Sequence, residues 1–191
     1  LLDAALACFA SRGVFRTGIE DIRRAAGASP SSVYHFFGGL PDVTVALLAR
    51  TFQRLFGHLA TRVDRARGAK ASVLALVDGH LEWMLATEHA DEGRFLYQAV
   101  GLEFDDEARQ TLEREKERAL EPVVRHLAPF VASGKLPPYR PIELDIVLLG
   151  PSHEACRRYL AGASLDPTWM RATLPRIAWR SIRAARTLDT G

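Results

Sequence analysis

Six side chains in one short stretch are the best equipped for specific chemistry: Thr17, Ser29, Ser31, Ser32, Tyr34 and His35 offer hydroxyl or imidazole groups. Small polar groups of this kind suit hydrogen bonds to phosphate oxygens and to base edges in a major groove. Catalysis would need a nucleophile, a base and an orienting group, or a metal cluster. His153, Glu154 and Cys156 fall within one helical turn, and Glu88, His89, Asp91 and Glu92 crowd a helix end. Neither set has the three or four regularly spaced ligands of a zinc site, so no catalytic residue, metal or cofactor is assigned.

The polar cluster needs two helices to carry it. Thr17 is placed to cap a helix beginning near Gly18, with Glu20 at the spacing of a reciprocal capping box. Ile19 and Ile22 share one face, and Gly27 can take the positive φ of a sharp turn. Ser29 then caps a second helix that has Pro30 at its first position, where a missing N–H costs nothing. At 100° per residue, Val33, Phe36 and Phe37 should point toward the first helix, Ser31 and His35 away from it, and Ser32 and Tyr34 to the flanks. By itself, such a pair could equally be an αα-hairpin in a helical core.

This segment closely resembles the DNA-binding end of the TetR family of bacterial transcriptional repressors. The resemblance extends to Leu1–Phe9, similar to the family's first helix, to the turn Arg12-Gly13-Val14-Phe15, and to the aromatic run Tyr34-His35-Phe36-Phe37. It covers about the first 48 residues and implies an all-α fold: a three-helix helix-turn-helix DNA-binding domain over 1–48 and a larger helical ligand-binding and dimerisation domain over 49–191. It also implies a double-stranded DNA operator contacted by Thr17, Ser29, Ser31, Ser32, Tyr34 and His35. Three departures stand out. Leu40 replaces a lysine that anchors phosphate, Arg23 stands where a small residue is common, and the sequence begins inside the first helix without the family's short basic lead. Arg23 should snorkel outward or reach a phosphate.

Composition sets wider bounds. An apolar fraction of 48% is ordinary for a globular chain. No apolar run approaches the roughly 18–20 residues of a membrane span, and no secretion signal is evident; a cytoplasmic protein with no membrane partner is expected. Cys8 and Cys156 are far apart and read as reduced, buried or half-buried. The net charge of +2 is modest, and arginines outnumber carboxylates nine to five only when the count runs through residue 67. That is a weak electrostatic footprint for DNA, which surface arginines on a solvated helix explain equally well.

Beyond Pro41 the pattern is helical throughout: one long helix to Gly68, a second over 73–86, a short one over 91–100, and a mixed segment over 104–132 whose charged beginning gives way to an apolar end. A proline-rich loop over 133–141 precedes helices near 141–162 and 167–187, where Pro151 and Pro175 should bend or interrupt the path. In the resemblance these last two helices pair with a second copy, and the helices before them bind a small effector. The candidate lining is Trp83, Met84, Phe95, Tyr97, Phe104, Phe130 and Tyr159, with His80, Gln98 and His153 as polar fixers. Such a wall suits a small apolar or amphipathic molecule, although aromatic residues at helical spacing also serve as plain core. Two readings follow: a ligand-responsive regulator, in all expectation a repressor, that grips a palindromic operator as a homodimer, or a dimeric small-molecule-binding or scaffold protein with weakened DNA binding.

Overall fold

The computed structural model describes residues 1–99 and 101–188, with side chains described through residue 183. Among these residues every regular element is helical, and no helix is long and apolar enough to cross a membrane. In chain order the α-helices are α1 (Leu2–Arg12), α2 (Ile19–Ala25), α3 (Pro30–Phe36), α4 (Leu40–Asp64), α5 (Ala69–Leu85), α6 (Ala90–Ala99), α7 (Asp106–Ala132), α8 (Pro141–Leu160) and α9 (Pro167–Leu188). Val100, expected at the end of the sixth helix, lies outside the described residues.

Packing divides the chain into two units: residues 1–54 with 88–118, and residues 55–87 with 119 onward. The first unit closes around Phe9 and Phe95, whose rings stack with centroids 5.3 Å apart, together with Ala5, Ile22, Val43 and Leu47. α6 packs against α1, so the short N-terminal helices rest on a segment almost ninety residues further along. The Gln98 side chain reaches from α6 to accept the Val14 N–H at 3.1 Å. On the buried edge of α6, Glu92 accepts from Arg54 at 2.6 Å and lies 3.1 Å from His89 Nδ1.

In the second unit α5, α8 and α9 pack on one another. Fully buried Leu81, Leu148, Met170 and Ile182 contribute to its interior. α5 begins at Ala69, four residues before the expected start, because Gly68 at φ 86° turns the chain and Ser72 returns its hydroxyl to the Gly68 carbonyl at 3.1 Å. α7 continues past Pro122 and Pro129, α8 past Pro151 and α9 past Pro175, so none of these prolines interrupts its helix. Cys8 and Cys156 are both buried free thiols.

Since Phe95 belongs to the core of the first unit, Phe95→Ala should cost about 3–5 kcal/mol of stability. A double-mutant cycle with Phe9→Ala should show a coupling of about 0.5–1.5 kcal/mol from the ring pair. Urea denaturation followed by circular dichroism measures both; additive effects would place the two rings out of contact.

Candidate functional site

The surface of α3 is built from its cap upward. Ser29 accepts the Ser32 N–H at 3.1 Å through Oγ, and the same oxygen lies 3.0 Å from the Ser31 hydroxyl and 2.8 Å from the Ser32 hydroxyl. The turn before it follows the expected chemistry: Gly27 sits at φ 61°, and the Gly27 and Ala28 N–H groups donate back to the Arg24 and Arg23 carbonyls. Val33 is buried beneath the helix, while Ser31, Ser32, Tyr34 and His35 are exposed. Tyr34 is 54% exposed. The result is a short helix with a buried underside and an exposed face of hydroxyl and imidazole groups.

Four positions differ from expectation. Thr17 is only 4% exposed and donates its hydroxyl to the Gly13 carbonyl at 2.9 Å, so it holds the turn after α1 and offers nothing to a partner. The cap of α2 is Gly18, and Asp21, not Glu20, closes the reciprocal bond by accepting the Gly18 N–H at 3.0 Å. That bond, ahead of the nearby Arg12 charge and against the upward pull of desolvation, holds the Asp21 carboxyl below its ordinary range. Arg23 neither snorkels freely nor waits for a phosphate: its guanidinium donates to Glu20 at 2.8 Å and to the Ala28 carbonyl at 3.0 Å, bracing the turn. Phe36 points outward at 74% exposure and meets His35 edge-on, whereas half-buried Phe37 packs on the core of the first unit. Leu40 is half-buried against that same core.

The second unit contains a cavity of about 350 Å³. Its walls come from Phe56 and Leu59 on α4, Leu76 on α5, the apolar end of α7 from Leu120 to Ala132, and Leu144, Leu148 and Leu149 on α8. Tyr139 and Asp145 bring the polar side-chain atoms of this lining. None of the ten side chains expected to line a pocket belongs to it. Phe95, Tyr97, Gln98 and Phe104 lie in the first unit, where Phe95 and Phe104 pack in or against the core and Gln98 holds Val14. Trp83 and Met84 are core residues of α5, half-buried Phe130 meets His126 edge-on, and Tyr159 is half-buried on α8. His80 and His153 form a pair behind the wall, their rings 4.6 Å apart, and His153 Nε2 lies 3.4 Å from Asp145 Oδ1. The signal for the real lining was the run Leu120, Val123, Val124, Leu127 and Val131 in a helix whose first half is charged.

The clusters weighed as metal ligands are dispersed by other duties. Glu154 is engaged by Arg157 at 2.8 Å and by Arg158, which with its neighbour holds the carboxyl down to about 2, while Cys156 is fully buried. Glu92 faces Arg54.

The family described as bacterial regulatory proteins, tetR family, matches residues 1–40, which include α1, the turn, α2 and α3. Residues 1–40 place the chain in the TetR family. The HTH-type transcriptional repressor KstR2 of Rhodococcus jostii is 33% identical over 90 residues, an alignment spanning 47% of this chain and 44% of that protein. The chain thus matches less than half the length of this curated TetR-type relative. A TetR family regulator from Marinobacter aquaeolei superposes with a TM-score of 0.74 at 15% identity, covering 95% of this chain and 92% of the other. FadR of Bacillus subtilis, solved in complex with stearoyl-CoA, superposes with a TM-score of 0.72 at 16% identity over 95% and 97% of the two chains. The TetR fold therefore extends over nearly the whole chain.

Within this TetR-fold chain, His80 is the buried titratable group with the clearest thermodynamic signature. It is fully buried, neither ring nitrogen has a hydrogen-bond partner among the described residues, and burial first, then the nearby His153, pushes its pKa well below 6.5. Folding therefore keeps the imidazole neutral, whereas the unfolded chain takes up a proton below about pH 6.5. The native advantage is complete above that pH and is lost as pH falls from it toward the depressed folded value. Thermal melts from pH 7.5 to 5.5 should show a falling midpoint with a slope of up to about 1.4 kcal/mol per pH unit from this group, and His80→Leu should flatten it. A profile unchanged by that substitution would remove His80 as its origin.

Proposed function

We propose that the protein is a ligand-responsive transcriptional repressor of the cytoplasm that binds a palindromic DNA operator as a homodimer and is released by a small apolar or amphipathic effector. The observation that carries this reading is the exposed polar face of α3, capped by Ser29 and backed by buried Val33, inside the 40 residues that match the family. Residues 1–48 supply the reading head: Ser31, Ser32, Tyr34 and His35 face the groove, and the α3 N-terminus offers amide donors to a phosphate. Ser29 acts mainly through its cap. Residues 49–191 supply effector binding and dimerisation.

One recognition helix reaches only a few base pairs, so a second copy about one turn of duplex away doubles the contacts. Apolar side chains exposed on α8 and α9, Ile142, Ile146, Trp169 and Ile177, support pairing through these two helices. The effector occupies the cavity of the second unit. Phe56 and Leu59 on its wall belong to α4, the helix whose other end holds Val43 and Leu47 in the core of the first unit. A ligand that prefers one of two α4 settings would shift the DNA-competent population, typically with about 1–3 kcal/mol of coupling. KstR2 is named a repressor, and FadR was crystallised with stearoyl-CoA; both are consistent with this class of activity.

Leu40 favours a second reading, a dimeric small-molecule-binding or scaffold protein with weakened DNA affinity, because its side chain packs on the core where the family anchors phosphate. Selection of genomic fragments at two salt concentrations decides between them. A repressor enriches a palindrome and loses affinity steeply with salt, by a log–log slope of about 0.9 per neutralised phosphate; a scaffold enriches nothing. On the selected site Tyr34→Ala should weaken binding about tenfold to a hundredfold, the effect of a lost base or phosphate contact, with the circular dichroism spectrum unchanged. Ile146→Glu should give monomers by sedimentation and abolish cooperative operator binding. Intact dimers would exclude α8 from the interface.

A further inference from the structure

The walls of the cavity carry more information than its size. Fourteen of its sixteen lining residues have no polar side-chain atom, no lysine, arginine or histidine is among them, and Asp145 is the ionisable carboxylate on the wall. Asp145 is mostly shielded, with 19% of its side chain accessible, and sits early in α8, where the helix dipole favours its charged form. Its Oδ1 already faces His153 Nε2 at 3.4 Å, but an ionised carboxylate has room for several donors. An anionic head group brought against this wall would meet a like charge in a weakly screened setting with no cation to offset it. A donor would meet an acceptor strengthened by the same surroundings.

We infer that the effector is an apolar molecule whose polar end is a hydrogen-bond donor, an amine or a hydroxyl, read by Asp145, and that carboxylates of the same length are rejected. This deepens the proposed function and rests on its assignment of the cavity as the effector site. The two can fail separately, because head-group preference is measured on the protein without DNA.

The probes are dodecylamine, dodecan-1-ol and dodecanoate, each below its micellar concentration, titrated by calorimetry into the full chain. The amine should bind at least about tenfold more tightly than the carboxylate, the scale of one charge-assisted hydrogen bond, with the alcohol between them. Asp145→Asn should bring the three to within about threefold of one another. Val124→Lys, which sets a cation on the α7 side of the wall, should reverse the order in favour of dodecanoate and does not depend on the Asp145–His153 pair. Ala128→Trp should fill the cavity and remove all three. Equal binding of amine and carboxylate by the native protein, a preference that survives Asp145→Asn or Ala128→Trp, or no binding of any probe would overturn the inference.

Discussion

Two seven-residue helices are too short to stay folded in water on their own, since nucleation is costly and few backbone bonds follow it. Whatever α3 displays is therefore decided by what lies beneath and before it. Ile22 and Val33 supply the buried undersides of α2 and α3, and the turn between the helices is held by Gly27 at φ 61° and by Arg23 bonded to the Ala28 carbonyl. Ahead of α2, the Thr17 hydroxyl and the Gln98 side chain satisfy turn groups that no helix could reach. The reading face is thus maintained by a core that includes α6, which explains why residues 88–118 belong with the N-terminal helices and not with their neighbours in sequence.

Local signals were legible wherever one residue type answers one backbone need. Gly27, the Ser29 cap, Pro30 at the first turn and the burial of Val33 could all be read directly, because each depends on atoms within four residues. Phe36 and Phe37 could not be separated by a helical wheel. Phe36 ends the helix on the rim of its buried face, and Phe37 leaves the helix with φ −140°, so the wheel no longer describes where the second ring goes. Thr17 was misread for a related reason: a hydroxyl before a helix can cap it or turn back, and the preceding Gly13 carbonyl at 2.9 Å won.

The cavity illustrates a different limit. Periodicity reports that a face is apolar but not which helix will cover it. Phe95 and Phe104 carry the same helical signal as Leu120 or Val123, yet the former pair joins the core under α1 while the latter remain on an unfilled wall. Choosing aromatics as pocket candidates favoured residues with large areas to bury, and those are the ones a core captures first. An open cavity is instead lined by what the core leaves over: aliphatic side chains of moderate size on α7 and α8, with a polar group at Asp145.

What keeps that space open is a brace on one side of it. Arg62 of α4 donates to Asp78 at 2.9 Å and lies 3.3 Å from Glu82, while Arg171 of α9 grips Asp78 with two bonds of 2.9 Å. Burial pulls the Asp78 carboxyl upward, but the bonds and charge of Arg171, then Arg62, hold it below its ordinary range, so the network stays charged at neutral pH. Two arginines facing two carboxylates are mutually compensated, and moving α4 away from α5 would strand charges that are only partly hydrated. Gly79 permits the close approach, since a Cβ there would stand 3.0 Å from Arg62 Cγ and 3.3 Å from a Leu59 methyl carbon. Leu59 and Leu76 are presented to the cavity from these braced helices. A ligand therefore meets one wall of settled geometry, and discrimination among apolar bodies of similar length has to come from the facing side, where α7 contributes shape and α8 contributes Asp145.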